Sequence, residues 1–277
     1  MTSDDIGSSW HSAMVPPTHT VSLMPTRRAW SRAELLAAGW LYCRLSFGRF
    51  HHRNSEVIRF AEAIGRTPSA VAMKLCNLAS LDPVITSSGR AGLKGASAAD
   101  REMWQEMQTD WPAFALAAKE AVQALDCAAE NDEPEPEIAS DYTGYERSVT
   151  RAQRVGQSLF RDAVITAYNA RCCMTGLAIP KLLVASHIVP WREAPGQRLN
   201  PANGLCLSSL HDRAFDIGLI TIRADWTIAV SPTVEHAAGD FWYRAVAAYE
   251  GREISRPERF PPSPDFLARH RAEVFLQ

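Results

Sequence analysis

Long apolar runs are missing from this sequence. None approaches the ~20 residues that a membrane-crossing helix needs, so no membrane-spanning role is expected. The opening stretch, MTSDDIGSSWHSAMVPPTHT, has acids early and no apolar centre, which argues against a signal peptide. A basic excess is missing as well. The 29 Lys and Arg stand against 31 Asp and Glu, a net charge of −2. That excludes a general nucleic-acid coat but leaves room for a local basic patch. Cysteines are few, six in all, at 43, 76, 127, 172, 173 and 206. They lack the spacing of a disulfide framework, so free thiols in a reducing cytoplasm are expected. What is present is ordinary for a soluble globular chain: 46% hydrophobic and 22% charged residues over 277 positions, enough for two domains with a core each.

Residues 1–28 are polar, contain Pro16-Pro17 and show no period, which reads as a disordered leader. Ser31 followed by Glu34 has the spacing of a capping box and opens a helix over SRAELLAAGWLYCRLS. Residues 55–81 then give a helix stopped by Gly65 and a second helix that starts at Thr67-Pro68. The pair reads either as a helix-turn-helix or as an ordinary αα-hairpin. In the first case Arg66, Ser69, Lys74 and Asn77 are exposed and face phosphates or base edges. The segment VITSSGRAGLKGAS after Pro83 has the composition of a short β-wing, and Ser97 opens a further helix. Residues 113–128 are Ala-rich and helical. The acidic, proline-containing ENDEPEPEIASDYTG follows and reads as a linker.

The second half is organised around residues 159–222, which alternate helix, turn, strand, loop, strand, short helix and strand. His187 ends the apolar strand LLVASHIVPW, Asn203 lies in the loop before the apolar run GLCLSSL, and His211 opens the short helix HDRAFD. A histidine is the side chain whose ordinary pKa suits a base near neutrality. An asparagine amide has donors and acceptors together and can brace a loop from both sides. Either histidine alone is more simply a structural residue; the three in this order suggest a compact site for a divalent metal and an activated water. Before this stretch, Arg151, Arg154 and Arg161 recur on the polar side of a helix and can reach phosphates. Arg192 and Arg198 lie close to it in sequence and can clamp one. Cys172, Cys173 and Cys206 read as small core residues rather than zinc ligands. Gly218–Ile222 and Trp226–Val230 form a hairpin about Arg223-Ala224-Asp225. His270, on the last helix, is expected at the surface.

On the words SHIVPW, NPANGL, LHDRAFDIGLI and RVGQSLFRDAVITAYNARCCMTG, residues 147–276 resemble the HNH endonucleases with a ββα-metal finger, in the restriction-type branch found in bacteria. The resemblance implies His187 as general base, Asn203 as loop brace and His211 as metal ligand. Two positions depart from a common pattern of that family. Ser186 stands where many members carry an Asp ligand, and Phe215 stands where many carry a second His. Asp216 or Asp212 is then the candidate for a second protein ligand, with water completing a site that suits Mg²⁺, although Mn²⁺ or another divalent ion also fits.

The expected architecture is α+β. It comprises a leader over 1–28, an α-rich recognition domain over 29–128 (winged helix-turn-helix in form, if the wing is real), an acidic linker over 129–146 and an HNH domain over 147–277. The expected activity is metal-dependent hydrolysis of double-stranded DNA, in restriction of foreign or modified DNA. His187, Asn203 and His211 would be the catalytic set, His211 and Asp216 the metal ligands, and Arg66, Lys74, Asn77, Arg161 and Arg192 the DNA contacts. Two cuts across a duplex need two active sites, which suggests a homodimer. The alternatives are a DNA-binding regulator on a non-catalytic HNH scaffold and an RNA nuclease.

Overall fold

Helix starts in the first half follow their caps. The computed structural model describes residues 28–87, 89, 95–127, 144–190, 197, 199–234 and 239–277, with backbone alone over 144–153. Helix α1 (Arg32–Arg44) opens with a closed capping box: Ser31 Oγ accepts from the Glu34 amide, and Glu34 Oε2 accepts from the Ser31 amide at 2.8 Å. Asn54 caps α2 (Ser55–Ala63), and Thr67 with Pro68 starts α3 (Pro68–Ala79). The turn α4 (Pro83–Ser87) precedes α5 (Ala98–Thr109), whose Ser97 and Asp100 close a second capping box. Asp110 caps α6 (Trp111–Ala124).

Arg66 and Lys74 of the α2–α3 unit point inward, which corrects the expectation that they are exposed. Arg66, in the turn, forks onto Glu34 with Nε at 3.1 Å and Nη2 at 3.0 Å, both side chains being largely buried. Lys74, 5% exposed, donates to Asp100 at 2.6 Å. Glu34 and Asp100 are the acids of the two capping boxes. Each cation therefore neutralises a carboxylate that is already tied to a helix N-terminus, and α3 is fastened to the starts of α1 and α5. Asn77 sits against Gly95 and is half-buried. The expected wing is not a strand where it is described, since Pro83–Ser87 is helical; residues 88 and 90–94 lie outside the described residues.

Helix α7 (Gly144–Ala167) is common to both halves. It packs against α1 and α6, and also against β1 (Leu183–His187) and β2 (Gly204–Ser208). Toward α1, Asp162 pairs with Arg44 at 3.0 Å and Thr166 donates to the Arg44 carbonyl. Toward the strands, Phe160 and Val164 lie against Gly204, where a Cβ would stand 2.4 Å from Val164 Cγ2. Residues Ser31–Gln277 form one compact unit. The helix also begins at Gly144, inside the expected linker; residues 128–143 lie outside the described residues.

Strands β1 and β2 pair antiparallel, Leu183 opposite Ser208 and His187 opposite Gly204. Helix α8 (Ser209–Asp216) follows and ends at Gly218, whose φ of 76° lets Leu219 donate to the Ala214 carbonyl. A Cβ at Gly218 would meet the Val274 carbonyl at 2.0 Å, so a side chain there is excluded twice over. The hairpin of β3 (Ile220–Ile222) and β4 (Ile228–Val230) comes next, then α9 (Gly239–Ala245) and α10 (Pro264–Glu273). Mixed helices and two small antiparallel sheets are thus the observed architecture.

Between α9 and α10 the chain runs back across the unit. Ser255 donates to the Cys173 carbonyl, Glu258 to that of Ala167, and Ser263 to that of Ala202. Arg259 is fully buried there, donates to the Tyr42 carbonyl and lies over the Tyr42 ring at 4.6 Å. His270 is also buried, at 2% exposure, which corrects its expected surface position. Its ring stacks on Phe215 at 3.7 Å and bridges Thr221 Oγ1 and the Phe215 carbonyl. Burial holds its pKa down at about 4. Among the described residues no helix is long and apolar enough to cross a membrane.

Candidate active site

The site is built on β1, the loop after it, β2 and α8. His187 ends β1, half-buried, and its imidazole stacks on the Phe160 ring of α7 with centroids 4.3 Å apart and planes 10° apart. Strand pairing puts Gly204 opposite His187, and the absence of a side chain there lets Phe160 approach the sheet. Phe160 and Gly204 are thus positioning residues that the polar motif does not announce. The only sequence signal for them was the apolar face of α7 and the Asn203-Gly204 pair.

Asn203 is completely buried in the 3-10 turn Pro201–Asn203. Its Oδ1 accepts from the Val189 amide at 2.8 Å and its Nδ2 donates to the Val189 carbonyl at 3.2 Å. Its own carbonyl accepts from Ile188 at 2.9 Å. One side chain therefore satisfies both backbone groups of the residue two beyond His187, and it fixes where the chain turns away from β1. Trp191–Gly196 and Arg198 lie outside the described residues, Arg192 among them.

His211, in the first turn of α8, is 4% exposed. Its Nε2 lies 2.8 Å from the Ala245 carbonyl, which can only accept, so Nε2 carries the proton. Its Nδ1 lies 2.6 Å from Ser208 Oγ, so the hydroxyl donates to the remaining lone pair. Ser208 is also the N-cap of α8 and accepts from the His211 amide. Burial lowers the His211 pKa, opposed by the hydrogen bond to Ala245, and this favours the neutral ring. Ser208, three residues ahead, has the N-cap spacing and could have been read from the sequence; Ala245 could not.

Asp216, named with His211 as a metal ligand, follows it by five residues, about 140° around the helix. His211 is buried while Asp216 is exposed, so the two do not converge. Partial burial and the neighbouring Asp212 raise the Asp216 pKa, with Arg213 opposing. Among the described residues no three His, Cys, Asp or Glu side chains are placed to hold a metal ion. The one ring nitrogen of His211 able to bind a metal is engaged by Ser208. As arranged, these side chains do not fit a preformed metal centre.

The other predicted contacts divide. Arg161 is exposed on α7 and donates to the Leu183 carbonyl at the start of β1, beside the site. Arg66, Lys74 and Asn77 belong to the helical region and point elsewhere, as described above. Cys172, Cys173 and Cys206 are buried free thiols; burial pushes Cys206 up to about 12 and Cys173 well above its ordinary value. A groove of about 480 Å³ between α1, α5 and α6 is lined by Glu102, Glu106, Asp110 and Arg32 over Leu36 and Phe114. Its acidic rim is unsuited to a phosphate.

Residues 172–223 match the family model described as HNH endonuclease. The match covers Cys172 through Arg223, hence β1, β2, α8 and β3 with His187, Asn203 and His211. A comparison with curated proteins finds no match. This stretch of the second half is therefore similar to HNH endonucleases, a likeness that points to a nuclease. Nucleases of that class generally act on DNA with divalent metal ions.

Proposed function

We propose that the protein is a DNA endonuclease that hydrolyses phosphodiester bonds with His187 as general base. The observation that carries this reading is the family match over a stretch that folds as strand, strand and helix with His187 at a strand end. The imidazole, held by Phe160, accepts a proton from water as the water oxygen bonds to phosphorus and the ester oxygen departs. Asn203 keeps the loop after His187 in place, and Arg161 is a candidate phosphate contact from α7. Metal dependence is part of the proposal, on the habit of the class.

The setting we propose is restriction of foreign or modified DNA, since a further helical region packed on a nuclease can supply target choice. A homodimer supplies the two sites that a double-strand cut requires. The test is incubation of the purified full chain with plain plasmid, methylated plasmid and RNA, each with Mg²⁺, Mn²⁺ or chelator. The expected result is metal-dependent cutting of plasmid with a preference between the two plasmids. Cutting of RNA alone favours a ribonuclease. Binding without cutting under every metal favours a regulator on an HNH scaffold.

A further inference from the structure

Helix α9 (Gly239–Ala245) lies beyond the family match and is attached to the site by its last residue, whose carbonyl accepts from His211 Nε2 at 2.8 Å. The attachment is reinforced just after the helix. Val246 is fully buried, and the Tyr249 ring meets His211 edge-on at 6.0 Å. The helix itself is mostly open to solvent. Phe241 is 74% exposed and Tyr243 is 64% exposed, well above the other exposed large hydrophobic residues. Helical spacing puts Trp242 and Ala245, both half-buried, on the body side. The outward arc carries Tyr243, Asp240, Arg244 and Phe241 in that angular order, an aromatic ring at each edge and an ion pair between them. The Arg244–Asp240 pair is highly exposed, with side chains 77% and 71% accessible. Such pairs contribute little, so Arg244 can exchange its carboxylate for a phosphate.

We propose that α9 is a substrate-contacting helix: Phe241 and Tyr243 stack on or wedge between nucleobases of the DNA, and Arg244 contacts the backbone. This rests on the nuclease reading and deepens it. Three features favour DNA as the occupant. Exposed aromatic faces flanking a guanidinium match the chemistry of a base stack bordered by phosphates. The helix is seven residues long, about 10 Å, so the backbone of both aromatic residues stays within that distance of the residue whose carbonyl holds His211. DNA lying across the HNH centre therefore passes within reach. The hydrogen bond from His211 to Ala245 also ties the placement of the helix to that of the site.

The experiment is equilibrium binding of a labelled duplex to the full-length chain over a range of salt, with plasmid cleavage alongside. It uses wild type, Phe241→Ala, Tyr243→Ala, the double variant and Phe241→Trp. Both residues are exposed, so circular dichroism should be unchanged. Loss of each ring is expected to weaken binding by roughly tenfold or more. The dependence on salt should keep its slope, because no phosphate contact is removed. Phe241→Trp should stay within a few-fold of wild type. A double variant that binds duplex like wild type overturns the role of α9 while wild-type cleavage leaves the nuclease reading standing. So does a double variant with unchanged DNA affinity that has lost self-association in sedimentation. A wild type that neither binds nor cuts any DNA removes both.

Discussion

The two halves of the chain treat their conspicuous polar residues in opposite ways. In the helical region, Arg66 and Lys74 look like DNA contacts on a recognition unit, yet each is buried on the acid of a neighbouring capping box. In the second half, His187 stays half-buried on a strand end and Asn203 is buried on backbone groups beside it. A cation on an amphipathic helix is shared by many structures, and its destination depends on where a distant carboxylate comes to lie. Asn203, at the end of the loop that follows His187, has its partner Val189 within that loop. The comparison separates residues that hold the fold from residues arranged about a site, and it can be tested from both ends.

The largest effect is expected on the structural side. Lys74→Ala leaves Asp100 buried without its cation, and breaking such a pair costs about 3–5 kcal/mol. Denaturant unfolding should show that loss, and duplex affinity of the folded variant should not change. A variant of normal stability with weakened DNA binding would return Lys74 to the recognition role.

Next is pH. His270 has a folded pKa of about 4 against an unfolded value near 6.5. The unfolded state thus binds the proton more readily, and stability is fully present above about 6.5 and lost as pH falls toward 4. The loss is on the order of 3 kcal/mol. Burial of His211 acts in the same sense. Unfolding free energies between pH 7 and 4 should fall steeply in wild type and less so in His270→Asn.

Asn203→Ala should be smaller in stability, about 1–3 kcal/mol, since both backbone groups of Val189 lose their partner. Its cleavage should fall out of proportion, because the loop that follows His187 is released. Thermal unfolding and plasmid cleavage measured on the same preparation check this, and equal losses in Asn203→Ala and in a purely stability-matched variant would count against a positioning role. The smallest effect is predicted for Asp216→Asn. With Asp216 around α8 from His211, the metal optimum should shift by less than about twofold, against a tenfold or larger change for a lost ligand.

Much of the local structure was legible because its causes are local. Ser31 with Glu34, Thr67 with Pro68 and the 218–230 hairpin carry their own partners in sequence, and each element forms where those residues stand. The order of strands and helix about His187 was legible for the same reason. The rest depends on long-range packing. Lys74 meets an acid 26 residues on, His211 meets a carbonyl 34 residues on, and His270 is buried by a helix 55 residues back. The packing of α7 is set by elements distant from one another in sequence, α1 and α6 before it and β1 and β2 after it.

The most direct test of the central claim is cleavage of supercoiled plasmid by the full-length His187→Ala variant, compared with wild type at saturating DNA. Duplex binding and thermal unfolding are measured on the same preparations. The account predicts that binding and stability stay near wild type while the cleavage rate falls by about 10²–10⁴-fold. Cleavage at the wild-type rate by that variant would contradict it.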